Sequence, residues 1–178
     1  MSMGQSGLGK VVFTEEQIQS RVKEVAAQIN QDYQDQNLVI IGMLKGCIYF
    51  LADLTRHLTM PVNIDFLSIG VNPAETHKNG AIQFKKALDL DLKGRHVLLV
   101  EDVIGTGLTL GYVCQHLEEA EPASIKICTL LDNPARRLLA FQIDYCCFKI
   151  TEAFLVGYGL DYKDQYRNLP YITAFHKG

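Results

Sequence analysis

The stretch from Val97 to Thr109 carries the residues of this chain that are best suited to chemistry. It begins with four apolar residues, Val97-Leu98-Leu99-Val100, and continues with two acids, Glu101 and Asp102. A loop with two glycines and two threonines follows, and a helical pattern begins at its end. This order predicts a buried strand, a loop and a helix. Open α/β sheets bind their ligands at such carboxyl ends of strands.

The loop from Gly105 to Thr109 suits an anion such as a phosphate group. Backbone N–H groups at a helix N-terminus point toward such a ligand, and glycines let the backbone approach it closely. Thr106 and Thr109 add hydroxyl donors, and Glu101 and Asp102 can accept hydrogen bonds from sugar hydroxyls or bind a cation. From these residues alone, an ordinary turn between a strand and a helix stays equally open, because the pattern is neither a P-loop nor G-x-G-x-x-G.

Length and composition exclude several classes of protein. The chain has 178 residues, of which 48% are hydrophobic and 21% charged, as is usual for one globular domain. We expect a single domain over residues 1–178, with a disordered tail over 1–10. The net charge of −3 argues against a nucleic-acid partner. No apolar run approaches the ~20 residues that span a bilayer, so no membrane is expected. The five cysteines form no disulfide or zinc pattern and fit a reducing cytoplasm.

Strands and helices alternate along the chain and must position the loop. Thr14 and Gln17 form the capping-box pattern of a helix, whose apolar residues recur at helical spacing up to Tyr33. This alternation predicts parallel strands joined by crossover helices, hence an α/β fold with one open, mainly parallel sheet and flanking helices. The predicted strands are 38–43, 62–69, 81–87, 97–100, 125–131 and 154–156. Two further helices are predicted over 48–58 and 109–120, and a mobile surface loop over 70–80.

Several stretches together resemble the hypoxanthine-guanine branch of the type I phosphoribosyltransferases. The two acids followed by Thr106-Gly107-Leu108-Thr109 resemble the motif that binds phosphoribosyl pyrophosphate (PRPP). Met43-Leu44-Lys45-Gly46 resembles the family's pyrophosphate loop, and Ile64-Asp65-Phe66 resembles the strand before its mobile loop. The segments Phe154–Tyr162 and Tyr166–Tyr171 resemble its purine-binding C-terminal segment, which other phosphoribosyltransferases lack.

The resemblance implies that a purine base, hypoxanthine or guanine, reacts with PRPP to give a purine nucleoside monophosphate, IMP or GMP, and pyrophosphate. It also implies Mg²⁺ as cofactor, a small hood segment over the sheet, and a homodimer or homotetramer. The implied sites are Glu101 and Asp102 at the ribose hydroxyls and, with Asp161, at the metal; Lys45, Gly46 and Arg167 at pyrophosphate; Gly105, Thr106, Gly107, Leu108 and Thr109 at the 5′-phosphate; and Asn133, Phe154, Leu155 and Asp161 at the purine.

The chain departs from the family's pattern at three places that concern the base. Gly105 stands at the catalytic position where the family has an aspartate, assigned as general base near purine N7. Asn133 stands where the family has a purine-contacting lysine, and it can hydrogen-bond a 6-oxo group only without charge. Ile69-Gly70-Val71-Asn72 stands where the family has a Ser-Tyr pair that helps close the site. We therefore expect reduced activity.

Three functions compete on these observations. The first is a purine phosphoribosyltransferase, slower than its relatives or with an altered base preference. The second is a non-catalytic protein that senses PRPP or a purine nucleotide, which the phosphate loop beside an altered base pocket favours. The third is an RNA-binding regulator on the same fold, which the acidic balance argues against. Lys45, Asp161 and Arg167 favour the enzyme, because a nucleotide sensor need not bind pyrophosphate.

Overall fold

The computed structural model describes residues 7–71, 82–151 and 154–177, which form two β-sheets and three α-helices. The predicted alternation of strands and helices is confirmed. In chain order the elements are β1 (Gly7–Phe13), α1 (Glu15–Asp32), β2 (Leu38–Leu44), α2 (Ile48–Arg56), β3 (Asn63–Val71), β4 (Ile82–Lys86), β5 (His96–Ile104), α3 (Leu108–Glu118), β6 (Ser124–Asp132), a 3-10 turn (Pro134–Arg136), β7 (Tyr145–Lys149), β8 (Leu155–Val156) and β9 (Ile172–His176).

The larger sheet has six strands in the order β4-β3-β2-β5-β6-β7. All neighbouring strands pair in parallel except β3 and β4, which pair antiparallel. The predicted mainly parallel α/β sheet is therefore confirmed. Because β2, β5 and β6 are adjacent and parallel, their carboxyl ends meet at one edge of the sheet, where a ligand can contact all three connecting loops.

Two cores cover the two faces of this sheet. Ile40 of β2 and Leu98 of β5 face the side that α1 and α2 cover, whereas Ile41 and Leu99 face the side that α3 covers. All four side chains are fully buried. This explains why residues 38–41 of β2 and 97–100 of β5 are continuous apolar runs rather than alternating ones: both faces of these stretches are buried.

The first helix begins at the predicted capping box. The Gln17 amide donates to Thr14 Oγ1 over 3.3 Å, and the Thr14 amide donates to Gln17 Oε1 over 2.9 Å. The apolar residues of the predicted stripe from Ile18 to Ile29 are fully buried, so the helical spacing read from the sequence is the packing face. Among the described residues no helix is long and apolar enough to cross a membrane.

A second, three-stranded antiparallel sheet in the order β1-β9-β8 forms the hood beside the main sheet. The disordered tail expected over 1–10 is therefore wrong for Gly7 to Lys10, which belong to β1; residues 1–6 lie outside the described part. The strand was missed because its partner β9 lies at the other end of the chain. Thr173 of β9 reaches across and donates to the Gly9 carbonyl over 3.0 Å.

Further differences concern the ends of elements. Gly70 and Val71 were expected in a loop but belong to β3, where they pair with β4. The other residues of that predicted loop, 72–80, lie outside the described residues. The strand at β7 was not predicted, because Tyr145–Lys149 is short and lacks a clear apolar alternation. The strand predicted over 154–156 is present as the two-residue β8.

Asp65 ties β3 to the chain that follows β4. Its buried carboxylate accepts hydrogen bonds from the Lys86 ammonium at 2.9 Å, and from the backbone amides of Phe66, Asp89 and Leu90 at 2.7, 2.6 and 3.1 Å. Burial alone would raise the pKa of this carboxyl, but the four donors together hold the pKa below its usual value. The ionised form therefore stabilises the fold above the ordinary carboxyl pKa, and this contribution is lost as the pH falls.

Asp65→Asn should lower the free energy of unfolding at pH 7 by about 2–3 kcal/mol, because charge-assisted hydrogen bonds are lost at a buried site. Urea denaturation at pH 7 and at pH 3 measures the effect. The gap between the two proteins should be smaller at pH 3, below the ordinary carboxyl pKa, because the unfolded chain binds a proton there that the native carboxylate resists. Asp91→Asn serves as control, since Asp91 is exposed and, among the described residues, accepts only a local hydrogen bond from the Lys93 amide. Equal stabilities at pH 7 would contradict this role for Asp65.

Candidate functional site

The predicted ligand loop lies at the carboxyl end of β5, between β2 and β6. β5 ends at Ile104 and α3 begins at Leu108, so residues 105–107 form the turn between them. The Asn133 amide, just after β6, donates to the Ile104 carbonyl over 2.9 Å. This bond brings the residue after β6 beside the loop after β5, as the sequence interpretation requires.

The segment that follows the 3-10 turn is hydrogen-bonded to this loop. The amides of Leu138 and Leu139 donate to the Thr106 carbonyl over 2.9 and 3.3 Å. Gly107 caps α3 with a φ of +82°, and a β-carbon there would overlap the Phe141 ring. Only glycine fits both the left-handed backbone and the contact. The loop therefore has a shape that is fixed by packing before any ligand arrives.

A small cavity of about 130 Å³ opens over the loop. It brings together the predicted phosphate-binding residues except Leu108, whose side chain is 51% exposed and lines no part of it. The cavity sits over the N-terminus of α3, where backbone N–H groups have no partner within the helix. Its lining residues are Glu101, Val103, Ile104, Gly105, Thr106, Gly107, Thr109 and Leu110.

Glu101 and Asp102 are half-buried at the carboxyl end of β5, where Glu101 lines the smaller cavity. Burial, followed by the neighbouring charge of Asp102, raises the pKa of Glu101 well above its usual value. Burial also raises the pKa of Asp102 to about 6, against the opposing effects of the Val103 amide, which donates to it over 2.8 Å, and of the Arg167 charge. Two adjacent carboxylates that are costly to ionise are a ready site for hydroxyl donors or a cation.

A second, larger cavity of about 230 Å³ adjoins the first, and Val103 and Gly105 line both. It brings together all the residues predicted to contact the purine, and adds apolar walls that suit a flat heterocycle. Its lining residues are Asp102, Val103, Gly105, Leu131, Asn133, Arg136, Ile150, Phe154, Leu155, Leu160 and Asp161.

Gly105 faces open space. A β-carbon built on Gly105 would have no heavy atom within 4 Å, and its φ lies outside the left-handed range. The position therefore accepts a side chain without a clash or backbone strain, and its lack of a carboxylate is a chemical property of the cavity rather than a demand of the fold.

Arg136 lines the larger cavity and was missed in the sequence analysis. It lies three residues after Asn133, on a 3-10 turn that begins at Pro134. Side chains three residues apart eclipse one another on such a turn, so the spacing of Asn133 and Arg136 is the signal that points to a shared face. Another cation, the Lys177 ammonium, lies 3.6 Å from the centre of the Phe154 ring. It covers one face of the ring predicted to stack on the base.

The residues predicted to bind pyrophosphate meet in a cluster of charges. Arg167 NH1 donates to the Gly159 carbonyl over 2.7 Å, and NH2 lies 2.8 Å from the Asp161 carboxylate and 3.1 Å from that of Asp164. Lys45, from the loop after β2, lies 2.9 Å from Asp164. The cluster links the C-terminal segment to the main sheet, and Asp164 is a member that the sequence analysis did not assign.

Two glycines let this cluster approach the acids. A β-carbon on Gly159, where φ is +100°, would overlap the Gly46 carbonyl oxygen, and a β-carbon on Gly46 would overlap the Asp102 carboxylate. Gly159 therefore packs against the backbone after β2, and Gly46 packs against the side chain of Asp102 at the end of β5. A β-carbon at either glycine requires its neighbour to move.

Oxygen donors make up the acidic part of the site. Glu101, Asp102 and Asp161 offer carboxylates, which suit a hard cation such as Mg²⁺. Within residues 7–71, 82–151 and 154–177, no three metal-binding side chains converge on one point. Mg²⁺ commonly uses one or two carboxylates together with phosphate oxygens and water, so the donor set fits a cation that arrives with a phosphorylated ligand.

Comparison with known proteins gives a consistent result. The family model described as "Phosphoribosyl transferase domain" matches residues 12–163. The chain is 43% identical over 170 residues to a hypoxanthine-guanine phosphoribosyltransferase of Streptococcus pneumoniae (96% of this chain, 94% of that one), and 42% identical over 163 residues to that of Bacillus subtilis (92% and 91%). A crystal structure of a hypoxanthine-guanine phosphoribosyltransferase from Bacillus anthracis superposes with a TM-score of 0.89 at 39% identity, covering 96% of this chain and 99% of that one.

Gly46→Ala should lower the free energy of unfolding by about 1–3 kcal/mol, the usual cost of forcing a methyl group into a packed contact. Gly105→Ala is the matched control and should change it by less than about 0.5 kcal/mol, since open space surrounds that position. Urea denaturation of the three proteins measures both. A Gly46→Ala protein as stable as the parent would show that the close approach to Asp102 is not needed.

Proposed function

This chain belongs to the phosphoribosyl transferase domain family, and from that premise we propose that it is a purine phosphoribosyltransferase of the hypoxanthine-guanine type. It joins hypoxanthine or guanine to the ribose 5-phosphate unit of PRPP and releases IMP or GMP with pyrophosphate. One observation carries this function most directly: the apolar cavity and the cavity over the loop after β5 adjoin, and they share Val103 and Gly105.

We assign the two ends of the product to these two cavities. The purine lies in the larger one against Phe154, where Asn133 and the main chain of Leu155 hydrogen-bond its edge and Arg136 adds a cation. The 5′-phosphate lies over the loop, where Thr106, Thr109 and the N–H groups at the start of α3 donate to it. The ribose then lies across Glu101 and Asp102.

Breakage of the bond between ribose and pyrophosphate leaves positive charge on the ribose and negative charge on the leaving group. The carboxylates of Glu101 and Asp102 stabilise the positive charge on the ribose. Lys45, Arg167 and the backbone at Gly46 stabilise the negative charge on the leaving pyrophosphate. Glu101, Asp102 and Asp161 would hold Mg²⁺ together with PRPP, and the cation would neutralise negative charge on the leaving diphosphate. Holding the purine and PRPP in line also accelerates the reaction.

The cations placed for a leaving diphosphate favour the enzyme over a non-catalytic sensor, because a sensor need not bind pyrophosphate.

The cellular setting of this activity is also part of the proposal. The five cysteines are unpaired thiols, which suits the reducing cytoplasm, and we expect a homodimer or homotetramer there. Substrates and products are small molecules, with no nucleic acid and no membrane involved.

The test is an assay of purified protein with PRPP, Mg²⁺ and, in turn, hypoxanthine, guanine and xanthine, with nucleotide followed chromatographically. IMP or GMP should form. A protein that PRPP stabilises against heat, by about 2.7 kcal/mol at 100 times its Kd, but that forms no nucleotide would be a binding protein and not this enzyme.

Gly105→Asp should raise kcat/KM for the purine, by up to the ~10²–10⁴-fold that a placed acid–base group contributes. The new carboxylate would accept the proton that leaves the imidazole edge of the base, and the open space around Gly105 admits it. Steady-state nucleotide formation at saturating PRPP measures the change. Gly105→Asn is the matched control, because it has the same size without a basic oxygen. If Asn accelerates the reaction as much as Asp, or if Asp slows it in a folded protein, the role assigned to this position is wrong.

A further inference from the structure

One carboxylate oxygen joins the two cations of the proposed pyrophosphate site. Asp164 Oδ1 lies 2.9 Å from the Lys45 ammonium and 3.1 Å from Arg167 NH2. Lys45 follows β2 and Arg167 follows β8, so the two cations come from distant parts of the chain. They converge on a single negatively charged oxygen, which is the arrangement that an oxygen of a diphosphate would also require.

The backbone holds Asp164 in this position. Its φ is +60°, and its amide donates to Asp161 Oδ2 over 2.8 Å within a turn that the Tyr162–Gln165 bridge closes. The Lys45 ammonium and the Arg167 guanidinium both donate to the same oxygen of this carboxylate. The backbone therefore places the Asp164 side chain at the cluster, and these two ion pairs hold the side chain itself.

The ion pairs of Asp164 differ from those that anchor Arg167. Lys45 and Asp164 are 67% and 69% exposed, and ion pairs between exposed side chains are weak and exchange readily. Arg167 is only 21% exposed, is held by the Gly159 carbonyl, and its buried Nε makes no hydrogen bond among the described residues. An incoming anion can thus displace Asp164 while Arg167 keeps its place.

We propose that Asp164 is an internal counter-ion that occupies the anion position between Lys45 and Arg167, and that a diphosphate group must displace it to bind. The proposal rests on the proposed function only for the identity of the ligand as diphosphate. Asp164 then weakens the binding of PRPP and, equally, speeds the release of pyrophosphate. If Asp164 merely positioned the two cations, its removal would weaken binding instead, so the two roles predict opposite signs.

Titration calorimetry with inorganic pyrophosphate and Mg²⁺ tests this. Asp164→Asn should bind pyrophosphate about 3–10-fold more tightly than the parent, the range expected when the two ion pairs of the exposed Asp164 carboxylate no longer compete, and the gain should shrink at high salt. Glu121→Gln is the control: it removes the same charge from a similarly exposed pair with Lys93, outside the cluster, and should stay within about twofold of the parent. Asp164→Glu should resemble the parent.

The kinetic counterpart is a lower KM for PRPP and stronger product inhibition by pyrophosphate in Asp164→Asn. Asp164→Gly is the second variant, since glycine and asparagine both adopt the left-handed backbone of this position, and it should tighten binding likewise. Unchanged or weaker pyrophosphate binding in both variants overturns the counter-ion role, even if the parent forms nucleotide. Tighter binding in a parent background that forms no nucleotide would support the counter-ion role and reject the proposed function.

Discussion

The partial burial of two adjacent carboxylates at the end of β5 is the constraint on which the site depends. Glu101 and Asp102 are costly to ionise where they lie, as their raised pKa values indicate, because protein replaces the water that would stabilise their charge. The Val103 amide and the nearby Arg167 guanidinium stabilise the charge of Asp102 in part. Hydroxyl groups or a cation of a bound ligand can supply the stabilisation that the two carboxylates still lack.

The hood places a positive charge near these acids, since the Arg167 charge lowers the pKa of Asp102. Arg167 belongs to the segment between β8 and β9, which approaches Asp102 through the close contacts of Gly159 with the Gly46 backbone and of Gly46 with the Asp102 side chain. The β1-β9-β8 sheet fixes the ends of that segment. A small structural unit, built from both termini, therefore sets the electrostatics at the end of β5.

Local patterns predicted what local forces determine. The capping box at Thr14 and the strand-loop-helix at β5 depend on neighbouring residues, so their sequence was enough. The strand at Gly7–Phe13 depends on pairing with the far end of the chain, which no local pattern contains. Phe154 and Arg167 resemble core and surface residues by themselves, and only the family resemblance singled them out. Arg136 and Asp164 escaped both, since their significance comes from which atoms they meet in space.

The residues around the purine cavity depart from the family pattern, whereas the charged residues proposed to contact PRPP match it. Gly105 and Asn133 are both neutral, whereas the family resemblance leads one to expect an aspartate and a lysine at these positions. The purine cavity therefore lacks one negative and one positive charge, and its net charge is unchanged by the two differences together. Stacking and neutral hydrogen bonds can still bind a purine there. The charged groups that act on the breaking bond, by contrast, all surround the diphosphate and the ribose. Only interactions that strengthen in the transition state accelerate a reaction. Those that we propose for cleavage of the bond to pyrophosphate lie on the PRPP side, whereas proton transfer from the base is a separate contribution that Gly105 does not supply. An altered base pocket is therefore compatible with a working enzyme whose rate is limited by proton transfer from the base.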